Sequence, residues 1–373
     1  MSGVISDNTQ KSSGVISPVL SATKSSSNPT ISTNPSSGVG TKWINTTSGE
    51  IFICIDATAG ANEWIGQAKK NIGSYGLFGG GQSAGAGTQV NNIDYITIPT
   101  TGNATDFGDL TNNQTPAGTS NGINDRAVWG GGHDGSGYVD TIQYNTISTL
   151  SGNATDFGNL QQARGGGIAG CSNGSNDRGI FAGGHNNDDE IDYITISTRG
   201  NGTDFGNLTV GRYGVCGADN GTDERGVFAG GWNGNKLDTI DYITINSAGN
   251  ATDFGNLLAS GYGAASCSNN TNDRAVFAGL NPNGTYLNTI QYITIISTGN
   301  ATDFGDLSAA RAYLTGLSNG TGERGCWGGG TNTSSTKLNT IEYITINSTG
   351  NTTDFGDLTL ARASAGGASN GAS

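Results

Sequence analysis

Residues 190–197, EIDYITIS, place Ile191, Tyr193 and Thr195 on one side of an extended chain and Asp192, Ile194 and Ile196 on the other. Successive side chains of a strand alternate sides, so apolar groups fall on both faces, the pattern of a strand packed between two neighbours. The stretch recurs throughout residues 71–373, always with three other strand-sized pieces: a small-residue piece ending in SNG, an RGVFAGG-like piece closing on a glycine doublet, and TDFGNL. Gly, Asn, Asp and Ser punctuate the joins. Asp106, Asp156, Asp204, Asp253, Asp303 and Asp354 mark the last piece, spaced 50, 48, 49, 50 and 51 residues apart.

Six units of four strands predict an all-β fold, a six-bladed β-propeller with each unit a blade. The order of pieces predicts how the ring closes. YGLFGGG at 75–81 has no SNG-type strand before it, whereas ARASAGGASNG at 361–371 is surplus after the last unit, so the C-terminal strand completes the first blade. Closure leaves no open sheet edge. A β-solenoid is the alternative, but its rungs repeat at roughly 20–30 residues. The phrase GNATDFG at 102–108 is expected to fasten blade to blade, with Gly at positive φ, Asp accepting turn N–H groups and Phe pinning the outer strand.

Residues 1–38 are rich in Ser, Thr, Asn and Gly and predict an extended arm without a core of its own. Residues 39–70 predict a small module in which KWIN and EIFICID flank TTSG as a hairpin, Trp43 and Trp64 covering one face. Both tryptophans are candidates for anchoring to a larger assembly.

Composition narrows the chemistry. With 64 Gly but only 6 Pro among 373 residues, and no Gly-X-Y period, close-packed turns are favoured and collagen is excluded. A formal net charge of −13 and a pI near 4.4 argue against nucleic acid as a partner. No run of apolar residues is long enough for a membrane span, and the first residues lack a secretory signal pattern. Cys54, Cys171, Cys216, Cys267 and Cys326 form no CxxC pair and are expected to be buried free thiols, without disulfide or zinc. Asn-X-Thr triplets recur at one turn position, which explains them without glycans.

Alternating strands bring the second-to-third loops and the inter-blade loops to one face, and the least repetitive text lies there. The first position of the former loop is Gln82, His133, His185, Trp232, Asn281 or Thr331. A varied loop face on a constant frame is a candidate binding surface. Its candidate ligand residues are His133, Asp134, Tyr138, His185, Trp232, Asn233, Asn283 and Tyr286: rings to stack on sugars, carboxylates and amides to bond hydroxyls. Arg164, Arg212, Arg311 and Arg362 either read carboxylates or brace blades. Arg126, Arg178, Arg225, Arg274 and Arg324, near-identical in context, are expected to form an ion-pair girdle. Asp188, Asp189 and Glu190 lack the turned loop of a calcium site, so no metal and no cofactor are expected. Nor is catalysis. DFG here lacks the other motifs of a kinase, the two histidines have no adjacent Ser or Cys nucleophile, and no sialidase-type Asp box is present.

The period, the glycine doublet, the third-strand Tyr and the fourth-strand aromatic resemble the kelch family of propellers over about residues 73–373, with Phe107, Phe157, Phe205, Phe254, Phe304 and Phe355 where kelch units usually carry Trp. GTKWINTTSGEIFICIDATAGANEWIG at 40–66 resembles N-terminal modules of tail fibres in tailed bacteriophages. The DYITI…TGNATDFGDL repeat is similar to repeats of cyanophage virion proteins. These resemblances imply a virion appendage, assembled in the host cytoplasm. Residues 1–70 would meet other virion proteins, the propeller would bind a host surface glycan or protein, and a homotrimer is implied by similarity to tail fibres. The competing assignments are a structural decoration of capsid, neck or tail, and a glycan-degrading enzyme working through paired carboxylates.

Overall fold

The structure, a computed structural model, describes residues 22–27, 29–30, 32–46, 51–67, 74–83 and 87–371, apart from the side chains at 63 and 65–67. Residues 1–21 of the expected arm and the hairpin turn at 47–50 lie outside the described residues. The chain divides into two compact units, 1–71 and 72–373.

In the first unit β1 (Thr23–Ser25), β2 (Lys42–Asn45), β3 (Ile51–Asp56) and β4 (Glu63–Gln67) form one sheet in that order. β2 and β3 pair antiparallel, as the hairpin requires, and β4 continues the pattern. The sheet is wider than the sequence predicts. Thr23–Ser25 falls in the stretch expected to be a bare arm, yet it pairs parallel with β2. Two further bonds hold it there: Trp43 Nε1 donates to the Ser27 carbonyl at 2.9 Å, and the Thr46 N–H donates to that of Ser25 at 2.6 Å. A neighbouring strand edge thus orders a segment with little apolar surface of its own. Trp43 and Trp64 meet edge to face at 5.9 Å.

The second unit is all-β and propeller-like, built among the described residues from four-stranded antiparallel sheets. In sheet 1 the strands run Gly366–Ser369, Tyr75–Gly79, Asn92–Thr97 and Thr105–Asp109, and in sheet 2 Ala117–Ser120, Arg126–Gly130, Thr141–Thr146 and Thr155–Asn159. Sheet 3 comprises Ala169–Ser172, Arg178–Gly184, Asp188–Thr195 and Thr203–Asn207, and sheet 4 Cys216–Asp219, Arg225–Trp232, Lys236–Thr244 and Thr252–Asn256. Sheet 5 has Ala265–Ser268, Arg274–Leu280, Leu287–Thr294 and Thr302–Asp306, and sheet 6 Thr315–Ser318, Arg324–Gly328, Thr340–Thr345 and Thr353–Asp357. The surplus C-terminal strand pairs with Tyr75–Gly79, Gly366 opposite Gly79 and Ser369 opposite Gly76.

Apolar residues on both faces of each sheet explain the packing. Hydrophobic clusters form between consecutive sheets: Phe107 and Leu110 of sheet 1 pack with Ala127 and Trp129 of sheet 2, and Phe254 of sheet 4 with Phe277 and Ile293 of sheet 5. One cluster joins sheet 6, through Phe355 and Leu358, to Phe78 and Ile96 of sheet 1. Each fourth-strand Phe also meets its own sheet's third-strand Tyr edge to face, as Phe205 meets Tyr193 at 6.2 Å. Burying such a ring contributes about 2–3 kcal/mol.

The recurrent GNATDFG phrase is a fastener, with one change of part. The Gly102 and Ala104 N–H groups donate to the Phe355 and Asp357 carbonyls, and the Asp357 N–H donates to Asn103 Oδ1 at 3.1 Å. The same three bonds recur from Gly152, Asn153 and Ala154 to sheet 1. The asparagine, not the aspartate, is the side-chain acceptor across the seam: Asp106 and its equivalents stand exposed. The following glycine is obligatory, because a Cβ on Gly108 would lie 2.7 Å from the Gly152 carbonyl oxygen.

Two arginine sets carry the rest of the frame. Arg164, Arg212, Arg311 and Arg362 are buried and pair with Asp192, Asp241, Glu342 and Asp94 of the following sheet at 2.8–3.1 Å. They brace sheets and are not free to read a ligand. Where the arginine is missing, so is the acid: Gln114 faces the position of Gln143, and Gly261 that of Gln291. The second set corrects the expected ion-pair girdle. Arg126, Arg178, Arg225, Arg274 and Arg324 lie 4.3–4.4 Å above the rings of Tyr144, Tyr193, Tyr242, Tyr292 and Tyr343. Each donates to a carbonyl of the following sheet, Arg225 to Ile295 at 3.0 Å. The girdle is cation–π and carbonyl-bonded, because the nearest acids, such as Glu224, are engaged by Asn173 and Asn176.

Candidate functional site: an aromatic mouth

The inter-sheet loops and the second-to-third loops converge at one end of the second unit around a depression of about 500 Å³. Backbone pairing fixes these loops. Tyr213 and Trp232 exchange both backbone hydrogen bonds, and the Asn281 N–H donates to the Tyr262 carbonyl. The second glycine of each doublet also holds the loop opposite it, as the Gly184 N–H donates to the Arg212 carbonyl at 3.0 Å. A further row of bonds links the loops to one another: Gly214 N–H to Gly166 O, Gly263 to Gly214, Tyr313 to Gly263, and Ser364 to Tyr313.

Aromatic side chains follow one another along this rim. Tyr138 lies between the chain's only two histidines, 5.3 Å from His133 and 4.6 Å from His185 in a stacked arrangement. The row continues from His185 to Tyr213 at 5.7 Å, Tyr262 at 6.0 Å, Tyr313 at 6.0 Å and Tyr286 at 6.2 Å. Trp232 joins it at Tyr213, 5.1 Å away. All eight rings are part-exposed. Burial raises the Tyr138, Tyr213 and Tyr286 hydroxyls above their ordinary pKa and raises Tyr313 furthest, so these phenols are neutral donors and acceptors at physiological pH.

The expected residues divide. His133 and Tyr138 line the depression; His185, Trp232 and Tyr286 stand behind it, in contact with lining rings. The three polar candidates serve the loops. Asp134 accepts the Ser136 and Gly137 N–H groups, which hold its carboxyl below the ordinary value. Asn233 accepts from the Asn235 N–H, and Asn283 from Lys236 Nζ at 3.0 Å. Sequence reading missed Tyr213, Tyr262 and Tyr313, which sit one or two residues past the bracing-arginine position. The available signal was a tyrosine at a step otherwise held by Gly, Ala, Ser or Thr.

Elsewhere the ingredients of chemistry are occupied. Among the described residues no group of three His, Cys, Asp or Glu is placed to hold a metal ion, and Asp188 instead accepts from Gln162. All five cysteines are free and buried; burial pushes the Cys216 and Cys326 thiols up to about 12. No described helix is long and apolar enough to cross a membrane. No protein-family model matches the chain, and comparison with curated proteins finds no match.

Proposed function

We propose that the second unit is a six-bladed, kelch-like propeller closed by its C-terminal strand, and that the chain is an appendage of a tailed-phage particle that binds host-envelope carbohydrate through the aromatic mouth. The ring reading is supported by sheet-to-sheet clusters that return from sheet 6 to sheet 1, and by the pairing of Gly366–Ser369 with Tyr75–Gly79. The phage reading is supported by the wording of residues 40–66 and of the repeat. In it the first unit, with Trp43 and Trp64, docks to the particle.

The observation that carries adhesion is the row of eight part-exposed aromatic rings at one end of an otherwise repetitive frame. Aromatic faces stack on the apolar faces of sugar rings, while phenols and amides meet the hydroxyls. Single-site affinity of this kind is low, and many copies on one particle turn it into avidity. The test is binding of the full chain, displayed multivalently, to intact candidate host cells. Saturable binding that blocks phage adsorption is expected. A folded chain that binds no susceptible host would replace adhesion with particle decoration.

A further inference from the structure

The mouth has a floor, and the floor is apolar at every step. Each inter-sheet loop contributes the residue immediately ahead of a first strand: Pro116, Ile168, Val215, Ala264, Leu314 and Ala365. These six line both the mouth and a second cavity of about 200 Å³ beyond it, so they form the partition between the two. The loops otherwise differ in sequence, yet no polar side chain occurs at this step.

We propose that the mouth takes an uncharged sugar residue end-on and seats a methyl group of that sugar on this apolar hexad: the C6 methyl of a 6-deoxyhexose or the acetyl methyl of an N-acetylhexosamine. The inference rests on the carbohydrate-adhesion reading above. Among the described residues no Asp, Glu, Lys or Arg lines the mouth, although the chain as a whole carries a net charge of −13. A carboxylate or phosphate entering it would lose water and meet no Lys or Arg, which disfavours acidic sugars. The polar groups that do line it are amides, hydroxyls and phenols, such as those of Gln82, Gln89, Ser364 and Tyr213, and the imidazole of His133, whose Nδ1 accepts the Gly135 N–H at 3.0 Å. These suit ring hydroxyls. An acyl chain would leave them without partners.

Two features give the mouth a direction. The row of rim hydrogen bonds is interrupted at Thr115, whose N–H donates instead to the His133 carbonyl at 3.2 Å, and Gln82 and Gln89 line the mouth together with that residue, so part of the wall is amide-rich where the rest is aromatic. Opposite in character is Tyr313, held at φ +58° where three other loops have Gly167, Gly214 and Gly263. A left-handed tyrosine is costly by about 1 kcal/mol or more, and its ring is the gain at that step. A sugar lying between amides and rings points its exocyclic substituent at the floor. A hydroxymethyl group there would bury a hydroxyl without a partner, whereas a methyl group finds apolar contact.

The test is saturation-transfer NMR on the full-length protein with matched pairs: L-fucose against L-galactose, L-rhamnose against L-mannose, and N-acetylglucosamine against N-formylglucosamine, with glucuronic acid as the charged member. In at least one pair the methyl-bearing sugar should bind about tenfold tighter, with the strongest saturation on its methyl protons, and glucuronic acid should not bind. Tyr313→Gly, which places the residue of three equivalent loops at this step, should keep the fold and lose the signal. Equal binding within every pair, competition by glucuronic acid, no binding by any sugar, or a signal that survives Tyr313→Gly would each overturn the proposal. Host-cell binding that persists after such a failure leaves adhesion standing without the methyl seat. Sugar binding without cell binding does the reverse.

Discussion

The two ends of the repeat unit solve the same problem with different groups. At the end opposite the mouth, Asn121, Asn173, Asn220, Asn269, Asn319 and Asn370 each accept the backbone N–H that opens a second strand, as Asn220 does from Arg225 at 2.7 Å. Five of these amides reach the next turn, as Asn220 to Asp273 and Asn370 to Asp125. There the side chain is itself the hydrogen-bond partner, so its identity is fixed. At the mouth the backbone supplies the pairing, as between Tyr213 and Trp232, and equivalent side chains are free to be Gln82, His133, His185, Trp232, Asn281 or Thr331. Variation collects where the main chain has already satisfied its own donors and acceptors.

The largest way to break the frame is to remove its C-terminal strand. Deleting residues 364–373 strips Tyr75–Gly79 of one of its two partner strands and removes Asn370, which holds the Tyr75 N–H at 2.8 Å. Loss of the single cooperative unfolding transition is expected in calorimetry, with exposure of an unpaired strand edge. A transition unchanged from that of the full chain would show that this pairing contributes nothing.

Next in size is the buried brace. Arg212→Met leaves the Asp241 carboxyl enclosed without its partner, and about 3–5 kcal/mol should be lost in a denaturant titration. Adding Asp241→Gln to Arg212→Gln should recover most of it, because sheet 2 already carries Gln114 and Gln143, both buried, at the same two positions. A double variant as unstable as the single one would mean that the charges themselves, and not their balance, hold the sheets.

The frame was legible in the sequence because it is written six times. Periods near fifty residues, the surplus SNG strand at 361–371 and apolar groups on both faces of EIDYITIS predicted the four-stranded sheets and the partner of Tyr75–Gly79. What repetition does not encode was missed. The seam acceptor is Asn103 and not Asp106, since both recur equally and only geometry separates them. The parallel strand Thr23–Ser25 has no apolar pattern to announce it. Of the five rings that line the depression, His133 and Tyr138 are legible at variable loop positions, but Tyr213, Tyr262 and Tyr313 come from a second loop set whose convergence on the first is a matter of three dimensions.

Asp219 tests the opposite end on a smaller scale. It stands in the cavity below the floor where the other sheets have Ser120, Ser172, Ser268, Ser318 and Ser369. Burial pushes its carboxyl from the ordinary 3.8 up to about 6, against hydrogen bonds from the Ser172 and Gly221 N–H groups. The folded chain therefore holds this proton more tightly than the unfolded one, so stability is lost as pH rises from about 4 through 6 and the full penalty applies above. That shift corresponds to at most about 3 kcal/mol, reduced to about 1–2 by water reaching a carboxyl that is not fully enclosed. Asp219→Ser should gain stability relative to the native chain at pH 8 and show no gain at pH 4. An equal difference at both pH values would remove titration as the cause.

The smallest expected change in stability carries the largest expected change in binding. Tyr213 and Tyr262 line the depression, whereas Trp232 and Tyr286 touch the lining rings from behind. Replacing either pair by alanine removes part-exposed rings from loops whose backbone pairing remains, so stability should move by about 1 kcal/mol or less per ring. Binding to host cells should separate the pairs. The inner pair should abolish it; the outer pair should weaken it about tenfold, because only the ring contacts that steady Tyr213 and Tyr313 are lost. If the outer pair proves as damaging as the inner, the receptor lies across the loops and not in the depression. If neither pair matters, the variation at this end is solvated surface, and the contrast between the two ends concerns folding alone.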